Sequence, residues 1–163
     1  MWHWSCQKID TTLMAARCTS IRRAALVDAP PGRVWAVLAE FDRLSSWAGD
    51  VDHSSLVTDR VEGVGTARRV QVGRTVLIER VTEWDAPDAL AYDLEGLPPV
   101  VGGASNRWTL QPVGPRTEVT LTSTVDPGTR PAGKLAAPLV ARRLGKASDG
   151  LLAGLAAHLS RAA

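Results

Sequence analysis

Residues 66–84 read Thr66-Ala67-Arg68-Arg69-Val70-Gln71-Val72-Gly73-Arg74-Thr75-Val76-Leu77-Ile78-Glu79-Arg80-Val81-Thr82-Glu83-Trp84. Two runs with a period of two flank Gly73-Arg74. A glycine in the first central place suits a two-residue type II′ turn, because that place needs a positive φ. With Gly73 and Arg74 at the turn, the cross-strand partners follow by counting: Val72 faces Thr75, Val70 faces Leu77 and Arg68 faces Glu79. One face of this hairpin carries Arg68, Val70, Val72, Leu77, Glu79 and Val81, while the other carries Arg69, Gln71 and Arg80. The first is the inward face. Arg68 and Glu79 are therefore expected to form an ion pair pointing into the interior, and a slip of one residue would send both outward.

Working outward, Ala89 to Leu94 alternates Leu90, Tyr92 and Leu94 against Ala91 and Asp93. A loop rich in Gly and Pro follows, then a strand with Asn106, Trp108 and Leu110 in phase. After a turn at Pro112 to Pro115, the last strand sets Val119, Leu121, Ser123 and Val125 against Glu118, Thr120, Thr122 and Thr124. Upstream, Ile21 to Val27 reads as a strand ended by Pro30-Pro31. Val34, Trp35, Leu38 and Phe41 recur at helical spacing. Asp42 is placed to cap a second short helix holding Leu44 and Trp47, and Val51 to Thr58 reads as a strand.

Beyond the breaker loop Asp126 to Pro131, a long helix is expected, with Pro138 in its first turn. Val140, Leu144, Ala147, Leu151, Leu155 and His158 form its apolar side, with Ser148 at the edge; Arg142, Lys146, Asp149 and Ser160 face away. Gly145, Gly150 and Gly154 cost this helix about 1 kcal/mol each relative to alanine. They serve either to leave room for a ligand or to let the helix pack closely. The order is strand, two short helices, six strands, long helix. That is an α+β fold, a curved antiparallel sheet against a C-terminal helix. One helix cannot cover so many strands, so a cavity between helix and sheet is expected.

The 163 residues argue for one domain. At 45% hydrophobic and 22% charged residues the chain has a globular composition, and a net charge of +2 predicts no polyanionic partner. Arg22, Arg23, Arg60, Arg68, Arg69, Arg74 and Arg80 are interrupted by Asp59, Glu62 and Glu79 and lack an aromatic platform, so no nucleic-acid partner is expected. No apolar run reaches the ~18 residues that cross a bilayer, and the start lacks a secretory signal. A cytoplasmic protein without integral membrane contact, monomer or homodimer, is the resulting expectation. Residues 1–20 read as an extension, either disordered or upstream of a start at Met14, before a single domain over residues 21–163. Zinc at His3, Cys6 and Cys18 lacks a paired-ligand spacing, so reduced thiols and no metal are expected. No nucleophile, phosphate-loop or dinucleotide motif is present, so no cofactor is expected.

The chain resembles the START-like SRPBCC superfamily with its helix-grip fold, in the branch of polyketide cyclases/dehydrases and lipid-transport proteins. The residues that carry this are Pro30-Pro31-Gly32-Arg33-Val34-Trp35-Ala36-Val37-Leu38, Phe41-Asp42-Arg43-Leu44 with Trp47, Gly65-Thr66-Ala67-Arg68-Arg69-Val70, Glu79-Arg80-Val81-Thr82-Glu83-Trp84-Asp85-Ala86-Pro87 and Tyr92-Asp93-Leu94. The resemblance runs from Ile21 to Leu159. It implies a deep, mostly apolar pocket gripped between the sheet and the long helix, and it does not fix an activity.

In such a pocket Arg68 and Glu79 would hold a ligand carbonyl or hydroxyl, or move protons, unless they only neutralise each other. Asn106 offers an orienting amide and Tyr92 a hydroxyl; Trp47 and Trp108 wall the space, with Leu121 and Leu151 as apolar lining. His158 reads as a helix-end residue, and His53, near Asp50 and Asp52, as a loop residue or a base. No catalytic residue is assigned. The function expected is binding of a hydrophobic small molecule, a lipid or a polyketide-like compound. The rival readings are a polyketide aromatase/cyclase using the same polar groups, and a toxin-like or regulatory protein that uses its surface.

Overall fold

The computed structural model describes residues 18–161. In chain order these form β1 (Thr19–Val27), α1 (Pro31–Ala39), a 3₁₀ helix (Phe41–Ser46), β2 (His53–Leu56), β3 (Ala67–Val72), β4 (Thr75–Asp85), β5 (Ala89–Glu95), β6 (Gly103–Val113), β7 (Arg116–Asp126) and α2 (Pro131–Arg161). The seven strands make one antiparallel sheet in the order β1-β7-β6-β5-β4-β3-β2. This is the α+β helix-grip architecture expected from the pattern, with both short helices between the first and second strands.

Register follows the turn chemistry. Gly73 has φ +57°, and no other residue type among the described residues has a positive φ, so Arg74 completes a type II′ turn. Val72 then faces Thr75, Val70 faces Leu77 and Arg68 faces Glu79, as the counting required. A bulge between Val81 and Glu83 lets β4 bend over the core. The outer face is polar. There Arg107 grips both carboxylate oxygens of Glu83 at 2.7 and 2.8 Å, and Arg80 meets Glu95 at 2.8 Å.

The long helix departs from the sequence reading in two respects. It starts at Pro131, so Pro138 lies inside it rather than in its first turn. Pro131 occupies the first helical position, where a missing N–H costs nothing. Its buried face is Gly133, Ala137, Ala141, Gly145, Ser148, Leu152, Leu155 and Leu159, whereas Ala147 is exposed and Val140, Leu144, Leu151 and His158 are half-buried. The reason is proximity. A Cβ on Gly145 would lie 2.9 Å from Ile21 Cγ2 on β1, and one on Gly154 would meet the Trp47 carbonyl. Small residues let α2 lie flat on β1 and β7, where its packing is concentrated.

Asp42 does not cap the second short helix: no side-chain cap bond forms there, and Glu40 occupies the cap position. Ser54 instead ties this helix to the sheet edge, donating to the Asp42 carbonyl at 2.5 Å and accepting from Ser45 N–H at 2.9 Å. The helix delivers two rings into the core. Phe41 meets Tyr92 at 5.7 Å, and Trp47 meets Trp108 edge-on at 6.4 Å. A buried ring of this kind contributes roughly 3 kcal/mol by burial.

Candidate functional site

The core has two apolar parts with a polar row between them. One contains Phe41, Leu44, Trp47, Val81, Leu90, Trp108, Leu121, Leu152 and Leu155; the other contains Leu94, Val101, Ala104, Val125, Ala137 and Ala141. Side chains two apart on a strand share a face. Tyr92 therefore sits between Leu90 and Leu94, Asn106 between Ala104 and Trp108, and Ser123 between Leu121 and Val125. Glu79 lies opposite Leu94 and two residues before Val81. Ser148 lies between Ala141 and Leu152 on the buried face of α2. Arg68, Glu79, Tyr92, Asn106, Ser123 and Ser148 thus form one level across β3 to β7 and α2, and all six are buried.

At one end, Arg68 donates from Nε to Glu79 Oε2 at 2.6 Å, with Nη2 also 2.6 Å from that oxygen, and from Nη1 to the Phe41 carbonyl at 2.7 Å. The guanidinium lies 3.9 Å over the Phe41 ring and 5.3 Å from the Tyr92 ring, which supplies cation–π contact where water is excluded. At the other end, Ser123 donates to Asn106 Oδ1 at 2.7 Å, and its hydroxyl lies 3.1 Å from that of Ser148. Ser148 in turn donates to the Leu144 carbonyl at 2.9 Å. Since Asn106 Oδ1 is taken by Ser123, the amide nitrogen faces the Tyr92 oxygen at 3.5 Å, and Trp108 Nε1 donates to that oxygen at 3.2 Å.

Counting valences shows what is left over. Arg68 has five N–H groups, and hydrogen bonds form from Nε and Nη1. The Tyr92 oxygen already accepts two hydrogen bonds, and its own proton has no acceptor among the described residues. The buried Trp47 Nε1 has no partner. On the acceptor side, Arg68 leaves Glu79 Oε1 open, because its contacts with this carboxylate converge on Oε2. Unmet buried donors cost about 1–3 kcal/mol each, so the interior is rich in spare donors and holds one open carboxylate oxygen beside them.

Burial, and after it the Glu79 charge, push the Tyr92 hydroxyl up to about 12, against about 10 in a free chain. Tyr92 is the only tyrosine, so phenolate absorbance reports it alone. The folded protein should show only about a tenth of the full phenolate band at pH 11, with the midpoint near pH 12 and the full band on unfolding. Because the folded value is raised, this contribution to stability is complete below pH ~10 and lost as pH rises through about 12.

Residues 19–160 match the family model described as polyketide cyclase / dehydrase and lipid transport. The chain belongs to this family. No curated protein matches it. Among solved structures, the Zhui aromatase/cyclase from Streptomyces sp. R1128 superposes with a TM-score of 0.72 at 21% identity, covering 88% of this chain and 94% of that one. A START superfamily protein from Mycobacterium smegmatis gives 0.71 at 15% identity, covering 88% and 99%. The di-domain ARO/CYC protein BexL gives 0.71 at 21%, covering 87% of this chain and 46% of that one. At these identities the structures share the fold.

Of the residues singled out by sequence, the structure brings Arg68, Glu79, Tyr92, Asn106 and Trp108 into one connected region. Leu121 pairs with Trp108 across β6 and β7 and is fully buried. Leu151 is half-buried against the larger apolar part. Trp47 bridges two environments: it packs on Trp108, and it also lines a hollow of about 350 Å³ with Asp50, Gly150, Gly154 and Arg161. Sequence reasoning missed Ser123 and Ser148 as members of the row. The signal for Ser148 was the four-residue spacing of small residues through Gly133, Ala137, Ala141 and Gly145.

His53 is exposed on β2, and Asp52 beside it accepts from Gly73 N–H at 2.6 Å, so neither joins the row. Cys18 is disulfide-bonded, which corrects the expectation of a reduced thiol. The zinc reading rests on His3 and Cys6, which lie outside the described residues; no group of three metal-ligand side chains occurs among the described residues. No helix among the described residues is long and apolar enough to cross a membrane.

Proposed function

We propose that this protein binds an apolar small molecule bearing carbonyl groups, seated against the concave face of β3 to β6 at the level of the polar row. The observation that carries this reading is the surplus of buried donors on Arg68, Tyr92 and Trp47 between two apolar clusters. An alkyl chain alone would leave those donors unmet, whereas a ketone or ester oxygen satisfies them. The half-buried apolar side chains Leu77, Leu97, Val100, Val140 and Leu144 border the smaller cluster and supply an apolar approach. Leu77 lies two residues before Glu79 on the same face, so this approach leads to the ion pair. Asn106 orients Tyr92, Trp47 and Trp108 form the aromatic wall, and Leu151 and Leu121 back it.

A second reading is favoured by one feature, the open Glu79 Oε1. A carboxylate held beside free Arg68 N–H groups can take a proton from a carbon between two carbonyls while the guanidinium and Tyr92 O–H stabilise the enolate oxygen. That is the chemistry of ring closure in a poly-keto chain. The aromatase/cyclase likenesses fit this reading.

The test uses 9-fluorenone and fluorene, the same three-ring frame with and without a carbonyl, titrated calorimetrically, alongside native mass spectrometry of freshly purified protein. The ketone should bind about tenfold tighter than the hydrocarbon, and Tyr92→Phe should shrink that preference. Equal affinities would overturn the carbonyl assignment. An empty native spectrum together with no binding of either compound would overturn ligand binding itself.

A further inference from the structure

The outer face of α2 carries a feature that the pocket does not use. At about 100° per residue, Leu135, Leu139, Arg142 and Lys146 fall on one side of the helix, opposite the buried Gly133, Ala137, Ala141 and Ser148, with Arg143 beside them. Leu135 is 84% exposed and Leu139 57% exposed. From residue 127 to 148 the chain holds Arg130, Lys134, Arg142, Arg143 and Lys146 and neither Asp nor Glu. None of these five forms an ion pair among the described residues. The next acid, Asp149, is already paired with Arg23 at 2.9 Å. A net charge of only +2 thus conceals a stretch with five uncompensated positive charges, three of which, Arg142, Arg143 and Lys146, share the side of the two exposed leucines.

We propose that this face docks on an anionic lipid surface, with Leu135 and Leu139 entering the headgroup boundary and Arg142, Arg143 and Lys146 meeting lipid phosphates and carboxylates. The charge selects an anionic partner. The shape selects a lipid one, because the leucines project from a convex helix, and a deformable bilayer surface accepts projecting side chains without a matching groove. Long Arg and Lys stems can lie along the apolar boundary while their heads remain in the polar layer.

Co-sedimentation of the full chain with vesicles tests this. Binding is expected to phosphatidylcholine vesicles containing about a third phosphatidylserine and not to phosphatidylcholine alone, with release at about 0.5 M salt. Each cation neutralised should lower the partition coefficient about fivefold. The Arg142→Gln/Arg143→Gln pair should therefore lose about 25-fold, and Leu135→Ser/Leu139→Ser should lose at least tenfold; all four positions are exposed, so folding should be retained, as circular dichroism will show. Equal binding to both vesicle types, or no effect of either double variant in folded protein, would overturn the proposal. So would a concentration-dependent dimer abolished by Leu135→Ser/Leu139→Ser, or an acidic protein occupying this face without any vesicle binding. The outcome does not depend on what the interior holds.

Discussion

Arg68→Met, made alone, is expected to lower the unfolding free energy by about 3–5 kcal/mol, and Glu79→Leu alone by a similar amount. The Arg68 and Glu79 side chains are only 4% and 8% exposed, so removing either leaves an uncompensated charge where water cannot reach it. The double variant Arg68→Met/Glu79→Leu should recover most of the loss, because a well-packed apolar pair avoids the desolvation that the ion pair has to offset. Urea unfolding of the four proteins closes the cycle. If each single change cost below about 1 kcal/mol, the pair would behave as a solvated surface bridge. The same four proteins bear on function: a stable double variant that no longer prefers fluorenone would show that the pair exists for the ligand rather than for the fold.

The second large effect is expected at the close approaches of α2. A side chain on Gly133 would run into the Pro127 and Val100 carbonyls, and one on Gly154 into the Trp47 carbonyl. Backbone atoms cannot rotate aside, so the helix must lift off the sheet and the Ser148–Ser123 contact must part. Gly133→Leu and Gly154→Leu should each destabilise by about 3 kcal/mol or more. Gly32→Ala on α1 is the control, since a Cβ there meets nothing within 4 Å; it should be neutral or gain up to about 1 kcal/mol. Thermal unfolding decides the matter. If Gly154→Leu kept its melting temperature and lost only fluorenone binding, the glycine would be making room for a ligand instead of for the Trp47 backbone.

The hairpin was legible because one glycine fixed it. Gly73 set the turn, the turn set the register, and the register placed Arg68 opposite Glu79 on the inner face. Tyr92, Asn106 and Trp108 followed from the strand period of two. The buried face of α2 was not legible by the same means. Hydrophobic periodicity gives weight to Val140, Leu144 and Leu151, but a helix lying flat on a sheet buries what is small, and Gly133, Ala137, Ala141 and Gly145 carry little hydrophobic signal. Ser148 was misplaced for the same reason, and with it the helix's contribution to the polar row. The exposed leucines at 135 and 139 were hidden in a different way, since nothing in the sequence says that the helix begins at Pro131 rather than near Pro138.

The strand order carries one more consequence, for synthesis. Among the described residues β1 is an edge strand paired with β7 alone, with Thr19 opposite Val125 and Val27 opposite Thr117. β1 leaves the ribosome long before β7, the strand it pairs with, and α2, which covers both, emerges later still. Until then β1 offers unpaired backbone groups to any neighbour, and joining the two ends means closing a long loop. The half-made chain is the vulnerable species in the life of this protein, and the adjacent Arg22 and Arg23, one on each face, put positive charge on the strand that waits.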